Sequence, residues 1–169
     1  MIYILKGEIR SGKTTALKTW VNTSTALSGT NRTDVDGFLC PDGEDGKRYF
    51  LNVKSKAEFE LEVEASNDPI VEIGKFKFLK SAFDKANSYL VSIPAEPFCR
   101  YIVLDEVGRL ELKGEGLHDA TKVLIPKLMK DEHQHVIVVV RDYLFEDVLG
   151  FYSISEYSVL SKEDLSLLA

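Results

Sequence analysis

Three short apolar runs, at residues 2–5, 101–104 and 136–140, punctuate the chain, and each stops at residues suited to a turn or a ligand edge. Runs of this length, rich in β-branched residues, predict buried parallel strands. Between them the apolar spacing changes to three and four residues. Leu17, Trp20, Val21 and Leu27 fall on one face of a helix that starts at Lys13 and is ended by Ser28-Gly29-Thr30-Asn31. Val35–Leu39 and residues 48–53 flank a Pro/Asp/Gly-rich turn and read as a hairpin. Residues 58–65 alternate strictly, with Phe59, Leu61, Val63 and Ala65 on one side and Glu58, Glu60, Glu62 and Glu64 on the other, as in a strand with a solvated acidic face.

The second half continues the alternation of helix and strand. Ser81 with Asp84 predicts a capped helix carrying Phe83, Ala86, Tyr89, Leu90 and Ile93, closed by Pro94 and Pro97. A helix over 117–130 is expected to kink or split at Pro126, which has no N–H to give. Asp142 predicts the cap of a short helix stopped by Gly150. A weak strand spans 152–159, and Ser161 with Asp164 caps a final helix. The pattern is that of a single α/β domain over 1–169: a mostly parallel sheet, helices on both faces, and an antiparallel β-rich insert at about 35–78 along one edge.

Composition narrows the function. Lys plus Arg number 21 against 27 Asp plus Glu, a net charge of −6. Such a chain lacks the basic footprint of a nucleic-acid or membrane coat, so neither partner is expected. Small anions held by a few local positive groups are compatible with it. With no room for a signal peptide before the first strand, and no run long enough to span a bilayer, the sequence predicts a cytoplasmic protein. Cys40 and Cys99 then read as free thiols.

Gly7-Glu8-Ile9-Arg10-Ser11-Gly12-Lys13-Thr14 fits G-x-x-x-x-G-K-[ST], the phosphate-binding P-loop or Walker A motif, with Thr15 following. Glycines let the backbone curl so that successive N–H groups converge on phosphate oxygens, and the helix N-terminus adds its dipole. Lys13 is the cation for the β- and γ-phosphates, and the Thr14 hydroxyl is a Mg²⁺ ligand. Chance supplies roughly 0.01 such matches in a chain of this length.

Residues 101–104 end in Asp105, a Walker B-type carboxylate expected on a neighbouring strand, where it would hold Mg²⁺ through water opposite Thr14. Glu106, directly after it, is a candidate base for the attacking water; a plain acidic loop residue is the other reading. Arg141, at the tip of the third run, is the first candidate for a charge clamp on the transferring phosphate. Arg109 is the second, and Arg10 is expected to face solvent. A surface arginine is the alternative at each. His118, His133 and His135 read as solvated side chains rather than a metal set.

Four ordered blocks carry a family likeness: the P-loop through Thr15, Asp36-Gly37-Phe38, Ile73-Gly74-Lys75-Phe76-Lys77-Phe78, and Asp105-Glu106-Val107-Gly108-Arg109-Leu110-Glu111-Leu112. Together they resemble the small nucleoside-triphosphatases first described from thermophiles, also called the cancer-related nucleoside-triphosphatase family. The resemblance implies a RecA-like core and slow, Mg²⁺-dependent hydrolysis of ATP, GTP or other nucleoside triphosphates to diphosphates, with no settled protein partner. The chain departs from the family pattern at Glu8-Ile9-Arg10, where the family has prolines and a glycine, at Cys40 for a Thr, at Pro41-Asp42-Gly43-Glu44 and at Phe76 for a Tyr. Two rivals stay open. A kinase would pass the γ-phosphate to an acceptor, although no close Arg pair occurs between 110 and 140. A nucleotide-binding adaptor would turn over little.

Overall fold

The computed structural model describes residues 1–27, 34–96 and 98–168, with backbone alone for 23–27. The helix stop expected at 28–31, the Leu27 side chain and Pro97 lie outside the described residues. In chain order, β1 (Ile2–Gly7) and α1 (Lys13–Leu27) are followed by β2 (Val35–Leu39), β3 (Tyr49–Asn52), β4 (Glu58–Glu60), β5 (Glu62–Val63), β6 (Ile70–Ile73) and β7 (Phe76–Leu79). Then come α2 (Lys80–Ser92), β8 (Tyr101–Leu104), α3 (His118–Leu128), β9 (His135–Arg141), α4 (Phe145–Phe151) and β10 (Tyr157–Leu160).

Seven strands form the main sheet in the order β10-β1-β9-β8-β2-β3-β4. It is parallel from β10 to β2 and antiparallel at β3 and β4. Successive side chains of the central strands β1, β8 and β9 go to opposite, covered faces, which is why residues 2–5, 101–104 and 136–140 read as apolar runs. Ile102, Leu104, Val136, Val138 and Val140 join the core beneath α2, α3 and α4. Tyr101, Val103, Ile137 and Val139 join a second core with Leu17, Trp20 and Val21 of α1. Trp20, edge-on to Tyr101 at 5.6 Å, is a core residue as its helical spacing predicts.

Several expectations are corrected. The alternating segment is not one strand: it breaks at Leu61, which is buried, so β4 stays on the main sheet while β5 starts a separate three-stranded sheet, β5-β7-β6. Nor is its acidic row wholly solvated, because the carboxylate of Glu62 accepts hydrogen bonds from the backbone and side chain of Arg48. The β6–β7 hairpin was hidden in the stretch before α2. That helix starts without a side-chain cap, since Asp84 pairs with Lys80 instead of turning back to Ser81.

Pro126 does not split α3, which runs on through it to Leu128. The lost hydrogen bond and ring clash cost about 3 kcal/mol. Burial of Leu124, Ile125 and Leu128 offsets that at about 1.5–3 kcal/mol each. Asp142 opens a 3-10 turn without capping it, and Gly150 lies inside α4. The 152–159 strand is shorter and later, as β10. The closing helix is a 3-10 helix at Glu163–Leu167, held by Asp164 accepting from both the N–H and hydroxyl of Ser161.

Candidate active site

At the C-terminal edge of the parallel strands, the loop from Gly7 to Gly12 turns β1 into α1. Gly12 takes a left-handed φ of 82°, as the motif requires. The other left-handed residue of the loop is Arg10, at φ 56°, and not a second glycine. The side chain of Lys13 is folded back under the loop, donating to Gly7 O at 2.9 Å, Glu8 O at 2.6 Å and Ser11 Oγ at 3.3 Å. Burial lowers its pKa, and the carboxylates of Glu106 and Asp105 work against that. The exposed side chain of Lys162, after β10, also reaches the loop, its Nζ donating to Ser11 O at 2.7 Å.

Asp105 is not on the strand next to β1. β9 lies between β1 and β8, so the carboxylate arrives from one strand further across. It still meets the loop: Thr14 Oγ1 donates to Asp105 Oδ2 at 2.7 Å, and the Cys40 N–H donates to the same oxygen at 3.1 Å. Asp105 is 2% exposed, and that burial raises its pKa to about 6. The N–H of Asp105 donates to Phe38 O, and the N–H of Val107 to Val139 O. Glu106 is therefore held between a residue tied to β2 and one tied to β9. Both of its oxygens meet Arg141, with Nη2–Oε1 at 2.8 Å and Nε–Oε2 at 3.3 Å. Behind it, the buried carboxylate of Glu111 accepts from the N–H groups of Gly108 and Leu117, fixing the loop after β8.

A cleft of about 730 Å³ runs along these groups. Ile9, Arg10, Ser11, Gly12, Lys13, Thr14 and Thr15 line it on one side, and Asp105, Glu106 and Arg141 on another. Arg10, exposed, lines this cleft as well as facing solvent. Gly7 and Glu8 contribute through their carbonyls, on Lys13. Arg109 is exposed and lines an adjoining cavity instead of the cleft. Arg48, which no motif marks, lines both, packed over the rings of Phe76 and Phe78. No sequence signal singles it out, because only the folding of the insert brings it here.

Among the described residues no cluster of three or more His, Cys, Asp or Glu could hold a metal. His118 and His135 are not merely solvated: one meets the Tyr152 hydroxyl at 2.9 Å, and the other the Met1 amino group at 3.2 Å. Cys40 and Cys99 are free thiols. No helix of the described residues is long and apolar enough to cross a membrane.

A family model described as NTPase matches residues 2–159. The chain belongs to this NTPase family. A nucleoside triphosphate is accordingly the substrate class of this NTPase and its hydrolysis the reaction class. No curated protein sequence matches the chain significantly. Among solved structures it is similar to the crystal structure of THEP1 from the hyperthermophile Aquifex aeolicus, at 15% identity and TM-score 0.69, covering 100% of this chain and 97% of that one. It is likewise similar to the solution structure of a human cancer-related nucleoside triphosphatase, at 16% identity and TM-score 0.67, covering 99% and 94%. Both likenesses speak to the fold, that of a P-loop NTPase.

Proposed function

We propose that this chain is a Mg²⁺-dependent nucleoside-triphosphatase that hydrolyses the β–γ bond with broad base tolerance, in a reducing cytoplasmic setting. The observation that carries the reading is the Thr14–Asp105 hydrogen bond of 2.7 Å, which brings the first turn of α1 and the tip of β8 together beside Glu106. A hydroxyl and a carboxylate are hard oxygen donors of the kind Mg²⁺ takes, one or two at a time, together with phosphate oxygens and water. Their adjacency fits the ion, with Thr14 and Asp105 as the residues that would hold it. When bound, the ion neutralises charge on the β- and γ-phosphates.

The chain's own groups do the rest. The N–H groups from Ser11 to Thr15 face the phosphates, with the dipole of the 15-residue α1 behind them. Lys13 exchanges its hydrogen bonds to the Gly7 and Glu8 carbonyls for phosphate oxygens. In the present arrangement Glu106 and Arg141 neutralise each other, so neither is ready to act. A γ-phosphate beside Arg141 competes for the guanidinium, and the oxygens of Glu106 are then free to accept a proton from water. Everything placed here acts on phosphate, which all nucleoside triphosphates share; hence the base tolerance.

A phosphate-release assay with ATP, GTP, CTP and UTP tests this. Release from all four, abolished by EDTA and by Lys13→Ala, is expected. Tight binding with negligible release would favour the adaptor reading instead.

A further inference from the structure

Hydrolysis needs only a water next to Glu106, yet behind that residue lies a second cavity of about 160 Å³. It shares Cys40, Arg48, Phe76, Asp105, Glu106 and Arg141 with the nucleotide cleft, so the two meet at the wall where the γ-phosphate would lie. Its remaining lining is largely apolar: Phe50, Leu61, Phe78, Phe83 and Leu117 are all buried members of one core cluster. Glu111 adds little polarity, because both carboxylate oxygens are taken by backbone N–H groups. An apolar cavity of about 150 Å³ is large enough for a benzene-sized molecule. An apolar pocket with a few polar groups converging at one end is the form of a small-molecule site.

We infer that this cavity binds a small, largely apolar alcohol, of about six to ten non-hydrogen atoms, and that the alcohol can replace water as acceptor of the γ-phosphoryl group. The inference rests on the nucleotide-hydrolysis reading for its phosphoryl donor. The apolar body of the alcohol fills the phenylalanine-lined end, and its hydroxyl lies at the shared wall beside Glu106. The hydroxyl oxygen forms a bond to the γ-phosphorus as the bond from that phosphorus to the β–γ bridging oxygen breaks. The hydroxyl proton passes to Glu106, and the nucleoside diphosphate leaves with the electron pair. Arg48 and Arg141, both on the shared wall, and Arg109, at the cavity alone, supply positive charge from three separate parts of the chain. Such a set is not a cluster of neighbouring arginines between 110 and 140; only folding assembles it.

The test uses benzyl alcohol as the probe, with wild-type protein and two cavity-filling variants. Ile73→Trp, from β6, and Leu117→Phe, just before α3, alter residues that line this cavity and not the nucleotide cleft. Saturation-transfer NMR should show saturable binding to wild type, weakened at least tenfold in whichever variant retains a cooperative melt. Phosphorus NMR with Mg-ATP should show benzyl phosphate in place of part of the inorganic phosphate. Absent binding, equal binding to wild type and variant, or inorganic phosphate as the sole product at saturating alcohol overturns the inference. Phosphate release measured without alcohol separates the two readings. If it proceeds while transfer fails, only the acceptor is lost; if it is absent, hydrolysis itself is refuted, and the binding arm still decides the cavity.

Discussion

Substituting alanine for Gly37 puts the β2–β8 seam, and through it the Asp105 carboxylate, under a defined load. Gly37 has φ 115° and pairs with Val103 across the seam. A Cβ there would stand 2.3 Å from Val103 O, 2.7 Å from Val103 N and 3.0 Å from Val103 C. These are backbone atoms, which cannot rotate aside, and ordinary carbon contacts lie at about 3.5–4.0 Å. The left-handed φ costs a β-carbon residue about 1–3 kcal/mol. Overpacking adds about 1–3 kcal/mol. A total near 4 kcal/mol lowers Tm by about 8–16 °C for a chain of this size. Relief by parting the strands moves Asp105, which is tied to β2 through Phe38 O and the Cys40 N–H. Nucleotide affinity should therefore fall about tenfold, or ~1.4 kcal/mol. Thermal melts and calorimetric titration of Mg-ATP measure both. A Tm within about 3 °C of wild type would refute the argument, because even the low ends of the two costs, about 2 kcal/mol together, should lower it by about 4–8 °C.

Glu111 gives a pH signature. Burial raises its pKa from 4.5 to about 7, so as pH climbs the unfolded chain loses this proton first and the native state binds more protons in between. Stability from this group is therefore greatest below about pH 4.5 and declines towards pH 7, by up to about 3 kcal/mol. Urea denaturation at pH 5 and 7.5 should show the advantage of wild type over Glu111→Gln shrinking with pH; a constant difference would contradict the cause assigned. The thiols should also separate. Cys99, at 3% exposure, should react with a thiol reagent only on unfolding, whereas Cys40 lines the cleft and its modification should slow when Mg-ATP is bound. Rapid labelling of Cys99 in the native protein, or no protection of Cys40, would count against the cleft as drawn.

The parallel core was legible because its strands are buried on both faces and therefore read as unbroken apolar runs. The P-loop was legible because its chemistry fixes residue types at fixed spacing. What escaped the sequence depended on distant partners. The break at Leu61 follows from the competition of two sheets for one alternating segment, which local periodicity cannot record. α3 passes through Pro126 because burial on the sheet outweighs a local penalty. Asp105 reaches Thr14 across an intervening strand, and strand order is not written in either segment. Arg48 reaches the cleft from the insert and Lys162 reaches the loop from the far end of the sequence, so neither carries a motif.

In the proposed mechanism one pocket separates nucleotide holding, by the loop and Lys13, from water activation by Glu106. The most direct measurement is Glu106→Gln, comparing Mg-ATP affinity by calorimetry with phosphate release in a single turnover. Binding at least as tight as wild type, with release slowed about 10²–10⁴-fold, is the expected result. Release at the wild-type rate would contradict the account.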